Sequence, residues 1–257
     1  MPLRNDPTLW FNLPGIVAAY QPVRAPDSLL ARYNMRQGGS SAFRAEPGSA
    51  PAWASATGWT FGTTNYLTTG YLPKNTSSFV VRVANVSATG LRISVNGGDA
   101  DCNVAIAHWV FSDAMQWTHR TNATRAPGFL NGVACLSGRV AYRNGVLDSS
   151  SVGSDFTATA TTGCTLGVSA NSLSGNLLVA AFFDRTLAPA EVWQASRQMA
   201  YCDVNPGWSV WAPRRKWYPY VLEAPVAGRV GVYGARPTVA LPGGVRIVPQ
   251  SEGGTNG

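Results

Sequence analysis

Chemistry at a protein site needs acids, bases, nucleophiles or metal ligands held close together, and this chain offers few of them. Cleaving a glycosidic bond takes two carboxylates flanking the scissile linkage, and none of the strands that the pattern predicts carries such a pair. Asp99 and Asp101 sit beside Gly97-Gly98, where aspartate serves turns by accepting hydrogen bonds from nearby backbone. They are also the one candidate ligand-binding loop. Ca²⁺ takes about six to eight oxygen ligands, more than this stretch supplies, so no metal is expected. Of the two histidines, His108 lies in an apolar run and His119 follows Trp117-Thr118. There is no Gly-x-Ser-x-Gly elbow, and the glycines fall in hairpins rather than in a phosphate-binding loop. Both histidines therefore read as structural. No catalytic residue and no cofactor are expected, and the chain does not read as an enzyme.

Thiols and aromatic rings are the remaining candidates. Cys102, Cys135, Cys164 and Cys202 are widely spaced and form no C-x-x-C pair, which is the pattern of buried free thiols rather than of a zinc site or disulfide framework. Trp53, Trp59, Trp109 and Trp117 lie in or beside the predicted strands and are expected in the core. A second aromatic group lies late in the chain and is interleaved with bases: Trp208, Trp211, Arg214, Arg215, Lys216, Trp217, Tyr218 and Tyr220. Aromatic residues beside arginine are enriched at protein interfaces, so these eight form the candidate partner-binding set.

The elements that must position these groups are mostly strands. Leu91, Ile93 and Val95 alternate with Arg92, Ser94 and Asn96, a period of two that predicts a strand with one wet face. Phe79, Val81 and Val83 repeat the pattern around Arg82; Val140 and Tyr142 do so between Arg139 and Arg143; Cys164, Leu166 and Val168 do so again. Asn96-Gly97-Gly98, Asn131-Gly132 and Asn144-Gly145 are hairpin signals, since a type I′ turn needs positive φ at both central residues. Many short strands with regular turns predict a two-sheet antiparallel sandwich. The run Leu177–Phe183 (LLVAAFF) is apolar on both faces and must be covered on both. One short helix is predicted from Pro189, with Ala188 as N-cap, Glu191 in the first turn and Leu187–Val192 as a staple. Val192, Ala195 and Met199 then face the sandwich.

The 257 residues are enough for one all-β domain, and 45% are apolar, which excludes a disordered chain. Charged residues make up only 13%, a surface cheap to desolvate where neighbours cover it. The net charge of +7 is scattered apart from Arg214-Arg215-Lys216; no nucleic-acid motif accompanies it, so no nucleic-acid partner is expected. Residues 1–14 (MPLRNDPTLWFNLP) lack the apolar run of a signal peptide, and no run is long enough for a membrane span. The expectation is synthesis in a cytoplasm and no membrane partner. Residues 1–12 read as an N-terminal arm, 13–203 as the sandwich and 204–257 as an extended C-terminal arm that the core does not need.

The order of these features resembles the laminin-G/concanavalin A-like jelly roll, above all the versions in tailed-bacteriophage virion proteins. Four stretches carry the resemblance: Leu13–Tyr20 with Asp27-Ser28-Leu29; Ala56–Gly62 through Asn65-Tyr66-Leu67; Val140–Gly145; and Leu166–Ala170 with Leu177–Asp184 and Leu187–Glu191. Together they span about residues 13–200. The resemblance implies a jelly-roll sandwich with a C-terminal helix. It also implies a structural virion protein of the capsid decoration or cement type, a homo-oligomer whose partners are the major capsid protein or other virion proteins. The alternative it leaves open is a carbohydrate-binding adhesion module of a phage head or tail fibre, with a host-surface glycan as ligand.

Overall fold

A computed structural model describes residues 6–36, 44–62, 64–85, 95–97, 102–109, 114–120, 122–127, 131–167, 175–211, 220–222 and 247–249. The chain divides into two compact units, Met1–Ala212 and Pro213–Gly257. In chain order, the first unit contains β1 (Ile16–Tyr20), α1 (Ser28–Ala31), β2 (Glu46–Ser49), β3 (Ala52–Ala54), β4 (Gly58–Phe61), β5 (Tyr66–Thr68) and β6 (Ser78–Ala84). Next come β7 (Val95–Gly97), β8 (Val104–Trp109), β9 (Ala114–His119), β10 (Asn122–Pro127), β11 (Gly132–Ser137), β12 (Val140–Arg143) and β13 (Val146–Ser149). It ends with β14 (Thr165–Gly167), β15 (Gly175–Phe183), α2 (Pro189–Tyr201) and a 3-10 turn (Pro206–Trp208). In the second unit, β16 (Tyr220–Leu222) pairs antiparallel with β17 (Ile247–Pro249).

The first unit is an antiparallel β-sandwich. One sheet runs β13-β12-β11-β6-β15-β4-β3, with β1 also paired to β15; the other runs β10-β9-β8-β7-β14-β5-β2. Between them, Tyr20, Trp59, Phe61, Leu67, Phe79, Ile106, Trp117, Leu166 and Phe182 form the main core. Aromatic edges dominate it; Phe79 and Phe182 meet at 5.2 Å and 71°, an edge-to-face arrangement that the ring quadrupoles favour. Trp59 and Trp117 are buried as expected, and Trp53 packs against the same cluster from its rim; the Trp109 side chain lies outside the described residues.

A third layer covers the outer face of the β15 sheet. A second buried cluster joins Leu9, Trp10, Phe11 and Leu13 to Val80, Val133, Cys135, Val179, Ala181 and Phe183, and to Val192, Ala195 and Met199 of α2. Every residue of β15 is therefore buried, as its two-faced apolar run required. α2 begins where the sequence placed it: Ala188 is the N-cap, and its N–H donates to Glu191 Oε2 at 2.8 Å. That is the half of a capping box that an alanine can retain. Arg185 adds a bidentate pair to Glu191, at 2.9 and 2.5 Å, and these bonds hold the carboxyl below its ordinary range. The β12–β13 hairpin turns at Asn144 (φ 51°) and Gly145 (φ 81°), the positive pair that Asn-Gly predicts.

Several expectations are corrected. Residues 6–12 are not a free arm, because Leu9, Trp10 and Phe11 are buried in the second cluster. Residues 204–211 are likewise sewn to the sandwich, and the compact unit ends at Ala212 rather than Asp203. β6 has no wet face: Ser78 and Val80 are buried under the third layer, and Arg82 is paired with Asp203 at 2.7 and 3.2 Å. Asn131-Gly132 turns no hairpin, because β10 and β11 lie in different sheets. Asn96-Gly97 pairs within β7 instead of turning. Residues 91–94 and 168–169 of the expected strands lie outside the described residues.

Candidate functional site

Asp99 and Asp101 lie outside the described residues, as does the His108 side chain. Among the described residues no group of three or more His, Cys, Asp or Glu is placed to hold a metal ion. His119 is buried at the end of β9. Its Nδ1 meets the Ser154 carbonyl at 2.7 Å, and its ring stacks on Phe156 at 4.6 Å and 23°. Burial lowers its pKa, with the Ser154 contact opposing. The four thiols are all buried and unpaired with one another. Burial pushes Cys202 up to about 12 and raises Cys135 and Cys164 as well, so these three are poor nucleophiles.

The histidine makes one pH dependence testable. An unfolded chain protonates His119 near about pH 6.5, whereas the folded chain resists until a lower pH. Between those two values the unfolded state binds more protons, so stability is full above about 6.5 and falls as pH drops through the window. The urea midpoint should decline from about pH 7.5 to about pH 5, and His119→Asn should flatten that slope. An identical slope in the variant would remove His119 as the cause.

The expected partner-binding residues separate. Arg214, Arg215, Lys216, Trp217 and Tyr218 lie outside the described residues. Tyr220 opens β16, and its side chain is likewise outside them. Trp211 is structural: its indole N–H donates to the Gln21 carbonyl at 2.5 Å, and its ring packs on the main core. Trp208 is half-buried; its carbonyl accepts the Trp10 indole N–H at 2.8 Å, while its ring lies 6.5 Å from that of Tyr201.

That Tyr201 contact leads to a surface which sequence reasoning missed. The buried side of α2 is Val192, Ala195, Ser196, Gln198 and Met199. Its opposite side carries Trp193, Arg197 and Tyr201, spaced by four, a stripe about 12 Å long at the helical rise. Trp193 is 51% exposed and Tyr201 54%. The Arg197 guanidinium lies 5.2 Å from the Trp193 ring, a cation–π contact that fixes both side chains. Val204 continues one end at 68% exposure, its N–H bonded to the Tyr201 carbonyl at 3.0 Å. At the other end a Cβ on Gly145 would lie 3.0 Å from the Trp193 backbone, so the hairpin that carries Val146 (67%) and Leu147 (57%) adjoins the helix. Five of the eight large apolar side chains exposed among the described residues thus gather on or beside the third layer. Trp, Tyr and Arg are the types enriched at interface hot spots. The signal was present in the sequence: the helix face opposite Val192–Ala195–Met199 bears two aromatics about a single arginine instead of a run of charges.

No family model matches the chain, and no curated protein matches it in sequence. Among solved structures, a mutant Trypanosoma rangeli sialidase displaying trans-sialidase activity is similar with a TM-score of 0.51 and 13% identity, over 72% of this chain and 33% of that one. Trypanosoma rangeli sialidase gives 0.48 and 11%, over 74% and 33%. A structure of botulinum neurotoxin type C, whose cell entry depends on two ganglioside molecules, gives 0.47 and 10%, over 72% and 51%. The chain thus spans between about a third and a half of the length of these structures, and what the first of them shares with it is the β-rich fold.

Proposed function

We propose that this chain is a non-catalytic structural subunit of a tailed-bacteriophage virion, attached to the outside of the capsid by protein–protein contacts. The observation that carries the reading is the exposed Trp193–Arg197–Tyr201 stripe with its apolar flanks. Large apolar side chains gathered on one face, unlike ones scattered singly, mark an interaction surface. Two further features support it: the low charge content of 13%, and the order of strands, hairpin and closing helix that resembles virion jelly rolls. The +7 charge suits an acidic shell.

Fractionation of purified particles should find the chain with capsids. Trp193→Ala combined with Tyr201→Ala should then lower its occupancy at least about tenfold, the scale of losing hot-spot aromatics, while leaving its unfolding midpoint within experimental error. A chain that fractionates away from particles, or that turns over or binds host polysaccharide in a glycan screen, would overturn the proposal.

A further inference from the structure

The stripe has a charge character as well as an apolar one, and that character identifies what covers it. Two carboxylates of this layer are already paired with arginines, and a third, Asp6, accepts the Thr8 N–H at 2.8 Å and the Thr8 hydroxyl at 2.6 Å. Glu191 is held by Arg185 at 2.9 and 2.5 Å, and Asp203 by Arg82 at 2.7 and 3.2 Å. No carboxylate among the described residues pairs with Arg197; among those residues its partner is the face of Trp193. A guanidinium lying over a ring face forms no hydrogen bond to it and keeps its N–H donors for a carboxylate, in the bidentate geometry that Arg favours.

From this arrangement we infer that the outer face of α2 docks an acidic protein segment, with carboxylates on Arg197 and apolar side chains against Trp193, Tyr201 and Val204. The inference rests on the proposed attachment by protein contacts and names the chemistry of the partner surface. A second copy fits less well. A two-fold axis through the middle of the stripe would bring Arg197 against its own symmetry mate, and like charges across an interface are strongly disfavoured. A basic or uncharged partner would leave the one uncompensated charge of the stripe desolvated without a counter-ion. A carboxylate meets that need, and the flanking rings exclude water from the contact.

The test uses the full chain and three labelled synthetic peptides of equal length. Each has the same interspersed Leu and Phe, with Asp, Ser or Lys at the remaining positions. The Asp peptide should bind saturably, at least about tenfold tighter than the Ser peptide and far tighter than the Lys peptide. Arg197→Glu should reverse the order of the Asp and Lys peptides. Trp193→Ala should weaken both the Asp and Ser peptides, and Arg36→Glu, at an exposed arginine elsewhere, should change nothing. Added salt should weaken the Asp peptide alone. Equal binding of the three peptides, or an order that Arg197→Glu leaves unchanged, would overturn the inference. So would a dimer in sedimentation that Trp193→Ala and Arg197→Glu dissolve. Particle attachment is read separately: a Trp193→Ala, Tyr201→Ala chain that leaves particles while the peptides show no charge preference defeats the acidic partner but keeps the attachment reading.

Discussion

A chain ending at Asp203 is expected to lose most of its stability, whereas one ending at Ala212 keeps it. Residues 204–211 fill a polar seam in the third layer. Gln21 is fully buried, and its amide is spent on that segment. Nε2 donates to Ser209 Oγ at 2.8 Å and to the Val23 carbonyl at 3.2 Å, and Oε1 accepts the Val210 N–H at 2.9 Å. The Gln21 carbonyl takes the Trp211 indole N–H, and the Trp208 carbonyl takes that of Trp10. Truncation at Asp203 strips these partners while Gln21 and Trp10 stay where the rest of the fold puts them. Each buried polar group left without a partner costs roughly 1–3 kcal/mol. With the packing of Trp208, Val210 and Trp211 also lost, the total is on the order of 5 kcal/mol, comparable with the whole stability of many domains. Urea midpoints of chains 1–203, 1–212 and 1–257 measure this directly. Equal midpoints for the first two would show that the seam contributes nothing.

The same seam shows where sequence reading ran out. Local signals were read well: Asn144-Gly145 as a type I′ hairpin, Pro189 and Glu191 as a helix start, and Leu177–Phe183 as a strand covered on both faces. Each of these depends on residues within a few positions of one another. The seam depends on contacts between the two ends of the unit. Trp10 N–H reaches Gln198 Oε1 at 2.7 Å across 188 positions, and its indole reaches Trp208 across 198. Nothing local marks Gln21 or Gln198 as buried, since glutamine is mostly exposed. Segments rich in Trp, Pro and Asn at both ends therefore read as arms, although they close the third layer. The reading of β6 failed for a related reason. Alternation around Arg82 looks like a wet face until the layer that supplies Asp203 is placed over it.

The stripe was legible in another sense, because the spacing of Trp193, Arg197 and Tyr201 is plain in the sequence. What periodicity cannot say is which face of a helix is unusual. A surface helix normally pairs an apolar stripe with charges, and α2 instead carries rings on its outer side. Its exposure and the Arg197 guanidinium lying over Trp193 set this face apart from a second core face. The basic cluster Arg214–Lys216 was chosen for its charge density, and it lies beyond the described residues, so the role expected of it stays an expectation.

Removing the Asp148 carboxylate should destabilise the sandwich by about 1–3 kcal/mol, the range for leaving a buried polar group unmatched. Asp148 belongs to β13, at the edge of one sheet, yet its side chain is only 6% exposed. It accepts the Trp117 indole N–H from the opposite sheet at 2.8 Å and the Arg143 Nε–H at 2.7 Å, with Arg143 Nη2 at 2.5 Å. One carboxylate thus ties the two sheets together at an edge where no ladder bond can. Trp117 is fully buried, so without Asp148 its N–H loses its acceptor in the core. The substitutions separate the two contributions. Asp148→Asn keeps an oxygen for Trp117 but gives up the charge that Arg143 pairs with, and should cost about half as much as Asp148→Ala. Trp117→Phe in the Asp148→Ala background should cost less than it does alone, since the two changes remove the same contact. Strict additivity in that double-mutant cycle, measured by urea denaturation, would show that the carboxylate and the indole are neighbours without being coupled, and that Asp148 does not tie the two sheets together.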